Sequence, residues 1–328
     1  MARAGEFDLI ERYLAPLAAG APGAFGLTDD AATIEVAPGR LLVATADALV
    51  AGVHFMADDA PGDIAAKMLR VNLSDLAAMG AEPRAYLMTL ALPESVDDDW
   101  LAAFASELST EQNRFGISLI GGDTVSTPGP LTLSVTALGE AETVLRRAGA
   151  RAGDTVFASG TIGDAALGLA LLKEPSAAWT RALADGDADH LIARYRRPTP
   201  RLRLGQRLAG VASAAIDVSD GLVADLGHIC EASGVGAALR AADAPLSPAA
   251  RRALQAEPSL RDTVLAGGDD YELLFTAPPD KTGAVATLAA DTALALTPVG
   301  DIVAGEGVTV LNEAGAPIHL ERTGYRHF

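Results

Sequence analysis

The chain has 328 residues, 49% of them hydrophobic, which is enough for a sizeable core and in the range of two domains. Asp and Glu number 43 against 25 Lys and Arg, a formal charge of −18. That excludes the basic stripe of a nucleic-acid binder but not a phosphorylated small molecule, because bound cations reverse the local sign.

The single cysteine, Cys230, excludes an intrachain disulfide framework and a cysteine-based zinc site, and reads as a small buried apolar residue. No run approaches the roughly 18 apolar residues of a membrane helix. The first residues, MARAGEFDLIERYLAPL, have no apolar leader core or cleavage-like end, so a cytoplasmic protein without a membrane partner is expected.

Phe7, Ile10, Leu14 and Leu17 recur at helical spacing and predict a short amphipathic helix that Pro22-Gly23 closes. Thr28-Asp29-Asp30 reads as a turn before a strand, ATIEVA, which the Pro38-Gly39 turn can pair in a hairpin with the apolar run LLVATA at Leu41–Ala46. Asp47 follows that run, and His54 lies in a glycine-containing loop. A helix begins near Pro61, buries Ile64, Met68 and Val71, carries Asn72 and Asp75, and stops at Gly80 before Pro83. Tyr86–Leu92 reads as a strand. Ser95 with Asp98 forms a capping-box pattern for a helix that turns Trp100, Phe104 and Leu108 inward. Gly116–Ile120 reads as a short strand ending in Gly121-Gly122-Asp123-Thr124, and LTLSVTAL at Leu131–Leu138 as another.

A boundary is placed within Gly139–Gly153. Beyond it, Thr155–Ala158 is a strand leading through Ser159-Gly160-Thr161-Ile162-Gly163 into a helix, DAALGLALL. Trp179–His190 reads as a helical insertion, Pro198 and Pro200 precede a helix that runs to about Leu208, and Ser213–Val218 is an apolar run leading into Ser219-Asp220-Gly221-Leu222. The helix after it runs to Gly234. Ala241–Pro248 is a loop, Gly267-Gly268-Asp269-Asp270 precedes a strand at YELLFTA, and two more strand candidates precede GYRHF. The class is mixed α/β.

Five acidic groups recur where structure gives way to loop: Asp29-Asp30, Thr45-Ala46-Asp47, Asn72 with Asp75, Asp123, and Asp217 with Asp220. Singly, each acid reads as a cap or turn residue. As a set they offer the oxygen-only ligands that suit Mg²⁺ shared with a nucleoside triphosphate. Gly121-Gly122 and Gly160–Gly163 can bring backbone N–H groups against phosphate, although neither a Walker A loop nor a Gly-x-Gly-x-x-Gly fingerprint is present. Lys67 is the only lysine before Lys173, so neutralisation would fall to metal and to arginines such as Arg146 and Arg147. His54 either donates to a phosphate or packs beside Phe55, and His228 reads as structural. The hydrolase elbow Gly-x-Ser-x-Gly and clustered histidines are both missing.

With these motifs the chain resembles the thiamine-monophosphate kinases from end to end. The matching stretches are Thr28–Ala32, TADALVAGVHF at Thr45–Phe55, VNLSDLAAMGAEP at Val71–Pro83, LIGGDT at Leu119–Thr124, Arg147–Asp154, DVSDGL at Asp217–Leu222, Gly267–Leu273 and the final GYRHF. The GVHF and GYRHF pieces separate it from the related aminoimidazole ribonucleotide synthetases, selenophosphate synthetases and hydrogenase-maturation proteins. The resemblance implies a two-domain aminoimidazole ribonucleotide synthetase-like fold. Residues 1–139 would bind ATP and Mg²⁺ and pair sheets in a homodimer, and residues 140–328 would complete the nucleotide and substrate cleft. It implies ATP-dependent phosphorylation of thiamine monophosphate to thiamine diphosphate by direct in-line transfer. It leaves open a monovalent cation, a different small phosphate acceptor, and a non-catalytic sensor.

The resemblance maps metal ligands onto Asp29, Thr45, Ala46 (through its carbonyl), Asp47, Asp75, Asp123, Asp217 and Asp220, with Asp47, Asp75, Asp123 and Asp217 as the catalytic acids. Nucleotide contacts map onto Phe115, Gly122, Asp123, Arg147 and Ser219, and substrate contacts onto His54, Asp269 and the tail aromatics Tyr325 and Phe328. Three positions depart from the family pattern. Thr28 stands where Gly is usual and Phe115 where Tyr is usual, and Asp269 is one methylene shorter than the usual Glu.

Overall fold

The computed structural model describes residues 6–325. Contacts divide them into two units: residues up to Leu76 with Ala81–Thr143, and Ala77–Gly80 with Val144 onward.

The first unit opens with a short helix α1 (Glu6–Leu9). A wider turn at Ile10–Leu14 and a tight one at Ala15–Ala18 follow, so the expected continuous helix is broken where Pro16 withholds its N–H. Its sheet holds β1 (Leu41–Val50), β2 (Glu82–Leu92), β3 (Ser118–Ser126) and β4 (Thr132–Ala141) in the order β1-β4-β2-β3. The β2–β3 pair is parallel and the others antiparallel. The expected ATIEVA strand does not form, and β1 takes its partner from β4. Ala32 and Ile34 instead pack, partly buried, against the small core of Ala18, Ala24, Ala85 and Ile120, so the segment's apolar face is covered without strand pairing.

Helices α2 (Pro61–Ala78) and α3 (Asp98–Phe115) lie on one side of this sheet, as hydrogen bonds from both to its strands show. Val43, Leu49, Met88, Leu90, Leu133 and Val135 are buried on that side. The cap of α3 is Asp97, whose carboxylate accepts the Trp100 N–H at 2.9 Å, rather than the expected Ser95. The Gly-Gly-Asp-Thr motif, expected after a strand, lies inside β3.

The second unit has the sheet order β10-β7-β9-β5-β8-β6, with β5 (Thr155–Ser159), β6 (Ala214–Asp217), β7 (Gly236–Arg240), β8 (Leu273–Ala277), β9 (Leu296–Val303) and β10 (Gly307–Leu311). Helices α4 (Asp164–Lys173), α5 (Asp187–Arg196), α6 (Leu202–Gly205), α7 (Leu222–Ser233), α8 (Pro248–Ala256), α9 (Arg261–Ala266) and α10 (Thr282–Thr292) surround it. The sheet is buried on both faces. One core contains Val156, Ile216 and Leu274 with α7, and the other contains Phe157, Ala215 and Phe275 with α10. Central strands covered on both sides read as continuous apolar runs, as β8 does. Among the described residues, no helix is long and apolar enough to cross a membrane.

Candidate active site

In the first unit, β1 and α2 bring an acid pair together. Val43, Thr45, Asp47 and Leu49 alternate onto the helix-covered side of β1, so Thr45 and Asp47 face α2. The Thr45 hydroxyl donates to the Asp75 carboxylate in a short contact. The Asp47 N–H donates to Asn72 Oδ1 at 3.1 Å, and Ser134 Oγ donates to the Asp47 carbonyl at 3.1 Å. Asn72 and Asp75 are one turn apart on α2, so a single helix face serves both strand positions. Burial, with Asp75 close by, pushes the Asp47 carboxyl up to about 6. Two carboxylates held this close disfavour each other's charge unless a cation joins them.

Asp123 stands elsewhere on the sheet. Asp47 opposes Val135 on β4, Val135 opposes Met88 on β2, and Met88 opposes Gly122 on β3. At about 4.8 Å per strand the row spans about 14 Å, whereas ligands to one Mg²⁺ lie about 2.1 Å from it, so one ion cannot take both Asp47 and Asp123. Asp123 is exposed, and its Oδ1 accepts the Thr124 N–H at 2.8 Å. Gly122 has φ +152°, and a Cβ there would sit 1.8 Å from the Met88 carbonyl, so packing already demands glycine. Asp29 lies exposed in the bend after the tight turns of Pro22–Leu27, and Ala46 sits on the outer face of β1.

Two further first-unit positions have defined surroundings. His54 Nδ1 accepts the Val50 N–H at 3.0 Å, so the neutral ring carries its proton on Nε2 and presents a donor there. Phe55, 2% exposed, is the residue of that loop that fills the core. The half-buried Phe115 ring lies 5.8 Å from the Arg70 guanidinium and 5.3 Å from that of Arg114. Glu111 holds Arg70 by two bonds of 2.6 and 2.7 Å.

In the second unit, the end of β6 gathers the remaining positions. Asp217, its last residue, is buried and opposes Leu273 on β8. The Asp269 N–H donates to the Ser219 carbonyl at 2.9 Å, and the Tyr325 N–H to the Asp220 carbonyl at 3.0 Å. Ser219, Asp220, Asp269 and Tyr325 are thus backbone neighbours although they are distant in sequence. Asp220 and Tyr325 also line a cavity of about 460 Å³ with Val223, His228 and Thr323. Arg147 is exposed, on a segment whose Arg146 carbonyl accepts the Ala215 N–H at 2.9 Å, toward the start of β6. Phe328 lies outside the described residues.

Sequence reasoning missed Asp225 and set His228 aside. With Asp220 they form a group whose ligand atoms all lie within 4.8 Å of one another. Asp225 accepts the N–H groups of Asp220 and Gly221 at 3.1 and 3.0 Å; burial, then Asp217 and Asp220, hold its carboxyl well above the usual range.

The Gly160–Gly163 loop is not a phosphate cradle. Its N–H groups serve the protein: Gly160 donates to the Ala295 carbonyl, Ile162 to the Pro245 carbonyl and Gly163 to Asp270 Oδ2. A Cβ on Gly160 would fall 2.3 Å from Glu272 Oε1.

Comparison with known proteins identifies the family. Residues 28–141 match the family model for the AIR synthase related protein, N-terminal domain, and residues 151–311 that for its C-terminal domain. The thiamine-monophosphate kinase of Caulobacter vibrioides is 43% identical, covering 98% of this chain and 90% of that protein. The Escherichia coli K12 enzyme is 41% identical, covering 99% and 98%. The crystal structure of thiamine-monophosphate kinase from Stenotrophomonas maltophilia K279a superposes with a TM-score of 0.83 at 44% identity, covering 97% of this chain and 99% of the other. AaThiL complexed with AMPPCP and TMP gives 0.78 at 32%, covering 99% and 97%. Matched along nearly its whole length by these proteins, the chain belongs to the thiamine-monophosphate kinase family.

Proposed function

We propose that this protein transfers the γ-phosphoryl group of ATP to thiamine monophosphate, giving ADP and thiamine diphosphate. The observation that carries this reading is the Asp47–Asp75 pair: burial and then the neighbouring Asp75 raise the Asp47 carboxyl, and a bound cation would offset both. The donor set, carboxylate and hydroxyl oxygens, fits Mg²⁺. Asp29, Thr45, Ala46, Asp47, Asp75 and Asp123 of the first unit and Asp217 and Asp220 of the second would hold the ions. When bound, Mg²⁺ neutralises the charge of the phosphates in the transition state.

The chain's own residues bind and orient. The acceptor's phosphate oxygen attacks the γ-phosphorus as the bond to the ADP oxygen breaks, so the nucleophile is already an oxyanion and needs no strong general base. His54 presents an Nε2–H donor to the acceptor, and Asp269 and Tyr325 bind its organic part. Phe115, Gly122, Asp123, Arg147 and Ser219 hold the nucleotide. Phe115 can stack but lacks the hydroxyl of the usual Tyr.

We also propose that the outer face of the first sheet pairs with a second copy of the chain. Leu42, Leu87 and Val125 are 43%, 38% and 45% exposed there, beside Ala44, Ala46 and Ala48. A Leu87→Glu chain should elute as a monomer where the wild type elutes as a dimer.

The purified protein, given ATP, Mg²⁺ and thiamine monophosphate, should form thiamine diphosphate and ADP in equal amounts. Turnover only with another phosphate acceptor would move it to a different reaction of the superfamily. Nucleotide binding without any product would make it a sensor.

A further inference from the structure

The segment Gly267–Leu273 holds two non-glycine residues in the left-handed region, Asp269 at φ 71° and Tyr271 at φ 51°. Aspartate visits that region with some ease, whereas a bulky residue such as tyrosine does so only where its surroundings impose it. The surroundings here are two acids that alternate with them. Asp270 and Glu272 are both fully buried, while Asp269 and Tyr271 are half-buried.

Each buried acid is tied on its own side. Asp270 accepts the Gly163 N–H at 2.6 Å and the Ala165 N–H at 3.3 Å, and so caps α4 from outside that helix, whose own N-cap residue is a glycine. Glu272 accepts from Ser159 Oγ at 2.6 Å, Arg194 Nη2 at 2.9 Å and Arg201 Nε at 2.6 Å. Arg194 also donates to the Asp270 carbonyl at 2.9 Å, and the Leu273 N–H donates to Ser159 Oγ at 2.8 Å. On the other side, the N–H groups of Asp269 and Tyr271 donate to the Ser219 and Val218 carbonyls at 2.9 and 2.8 Å. A segment fixed from both sides can be kept in a conformation it would otherwise leave.

We infer that Asp270 and Glu272, with Ser159, Arg194 and Arg201, are positioning residues that clamp this segment in its left-handed form and so aim the Asp269 carboxylate at the acceptor. The inference rests on the proposed role of Asp269 in binding thiamine monophosphate. The clamp sets affinity for the acceptor more than for the nucleotide, because it acts on Asp269 directly and reaches Ser219 through a single backbone bond. It also accounts for Gly160, whose missing Cβ is the room that the Glu272 carboxylate occupies.

The test uses Glu272→Gln, which leaves two guanidinium groups short of a carboxylate, and the milder Ser159→Ala, which removes one tie and keeps both ion pairs. KM for thiamine monophosphate and for ATP is measured with Mg²⁺ present, together with amide hydrogen exchange of the 267–272 peptide. Both variants should raise the acceptor KM, about tenfold for Glu272→Gln and about threefold for Ser159→Ala, with the ATP KM within twofold and exchange in 267–272 at least tenfold faster. Unchanged exchange in Ser159→Ala, or acceptor and ATP KM rising together, overturns the clamp. Faster exchange with an unmoved acceptor KM, in these variants and in Asp269→Asn alike, overturns instead the assignment of Asp269 to the acceptor.

Discussion

Replacing Asp47 by Asn should raise the stability of the metal-free protein and abolish most of its activity. The Asp47 carboxyl is raised from 3.8 to about 6 by burial and by Asp75. That is about two pKa units at about 1.4 kcal/mol each, or about 3 kcal/mol for keeping the charge above pH 6. Solvent screening of a partly exposed side chain reduces this to about 1–2 kcal/mol. The sign follows from proton binding. Between pH 4 and 6 the folded protein keeps a proton that the unfolded chain has released, so metal-free stability falls as pH rises through that window and stays low above it.

Asparagine has no charge to lose, so the Asn variant lacks that slope. In EDTA at pH 7.5 it should melt about 2–8 °C above the wild type, taking about 2–4 °C per kcal/mol. Mg²⁺ should reverse the order by stabilising the wild type more than the variant. Turnover should fall at least ~100-fold, because a metal clamp that acts electrostatically has lost a charge. Thermal melts in EDTA and in Mg²⁺, with steady-state rates, provide the check. An Asn variant that melts at or below the wild type in EDTA, or turns over within a few-fold of it, refutes the reasoning.

Asp123→Asn should also lower turnover at least ~100-fold, with an unchanged melting temperature because the side chain is exposed; steady-state rates and a melt decide it. Asp270, raised to about 8 mainly by burial and also by Asp164, against the N–H groups of Gly163 and Ala165 and the Arg194 guanidinium, should make wild-type stability decline as pH rises from 5 to 8. Asp270→Asn should flatten that decline, read from denaturant titrations at several pH values. Cys230→Ser, in the core beside Ile229 and Leu226, should keep turnover and lose about 1–3 kcal/mol of stability, because a buried hydroxyl replaces an apolar thiol; rates and melts of the pure variant measure both.

The elements that sequence made legible are those whose burial writes a period. β1 and β4 alternate between a packed and an outer face, and β8 is buried on both, so their residues announce them. Helices α8 and α10 pass unnoticed because alanine fills them. Ala249, Ala250 and Ala253 bury one face of α8 without the large side chains that would mark it. ATIEVA has strand-like residues and no partner, since pairing is decided by which strand reaches β1, and that is β4.

The candidate site was legible in its acids, although Asp47 lies within β1 and Asp75 within α2, and only Asp217 ends its element as expected. It was opaque where one motif does two jobs. Asp270 and Glu272 read as further acids of the Asp269 stretch, yet both point inward onto a helix end and two arginines. Gly160–Gly163 reads as a phosphate loop, but its N–H groups bond within the protein. Asp225 carries no signal at all beyond being one acid on a helix, since only folding brings it against Asp220.

The charge arrangement around Asp47 separates an accidental acid pair from a metal site. An accidental pair would be neutralised by the nearest cation or allowed to move apart. Arg70, two residues before Asn72 on α2, is bonded through both Nε and Nη2 to Glu111, so this cation of the same helix is committed elsewhere. Movement apart is resisted as well. Asn72 and Ser134 hold the Asp47 backbone, and Thr45 holds Asp75. Three neutral side chains thus fix the Asp47 backbone and the Asp75 carboxylate, and hydrogen-bonded groups of that kind orient ligands rather than quench them. This is why removing one carboxylate is expected to help the empty fold and harm the loaded enzyme, a pair of opposite effects that no purely structural role for Asp47 would produce.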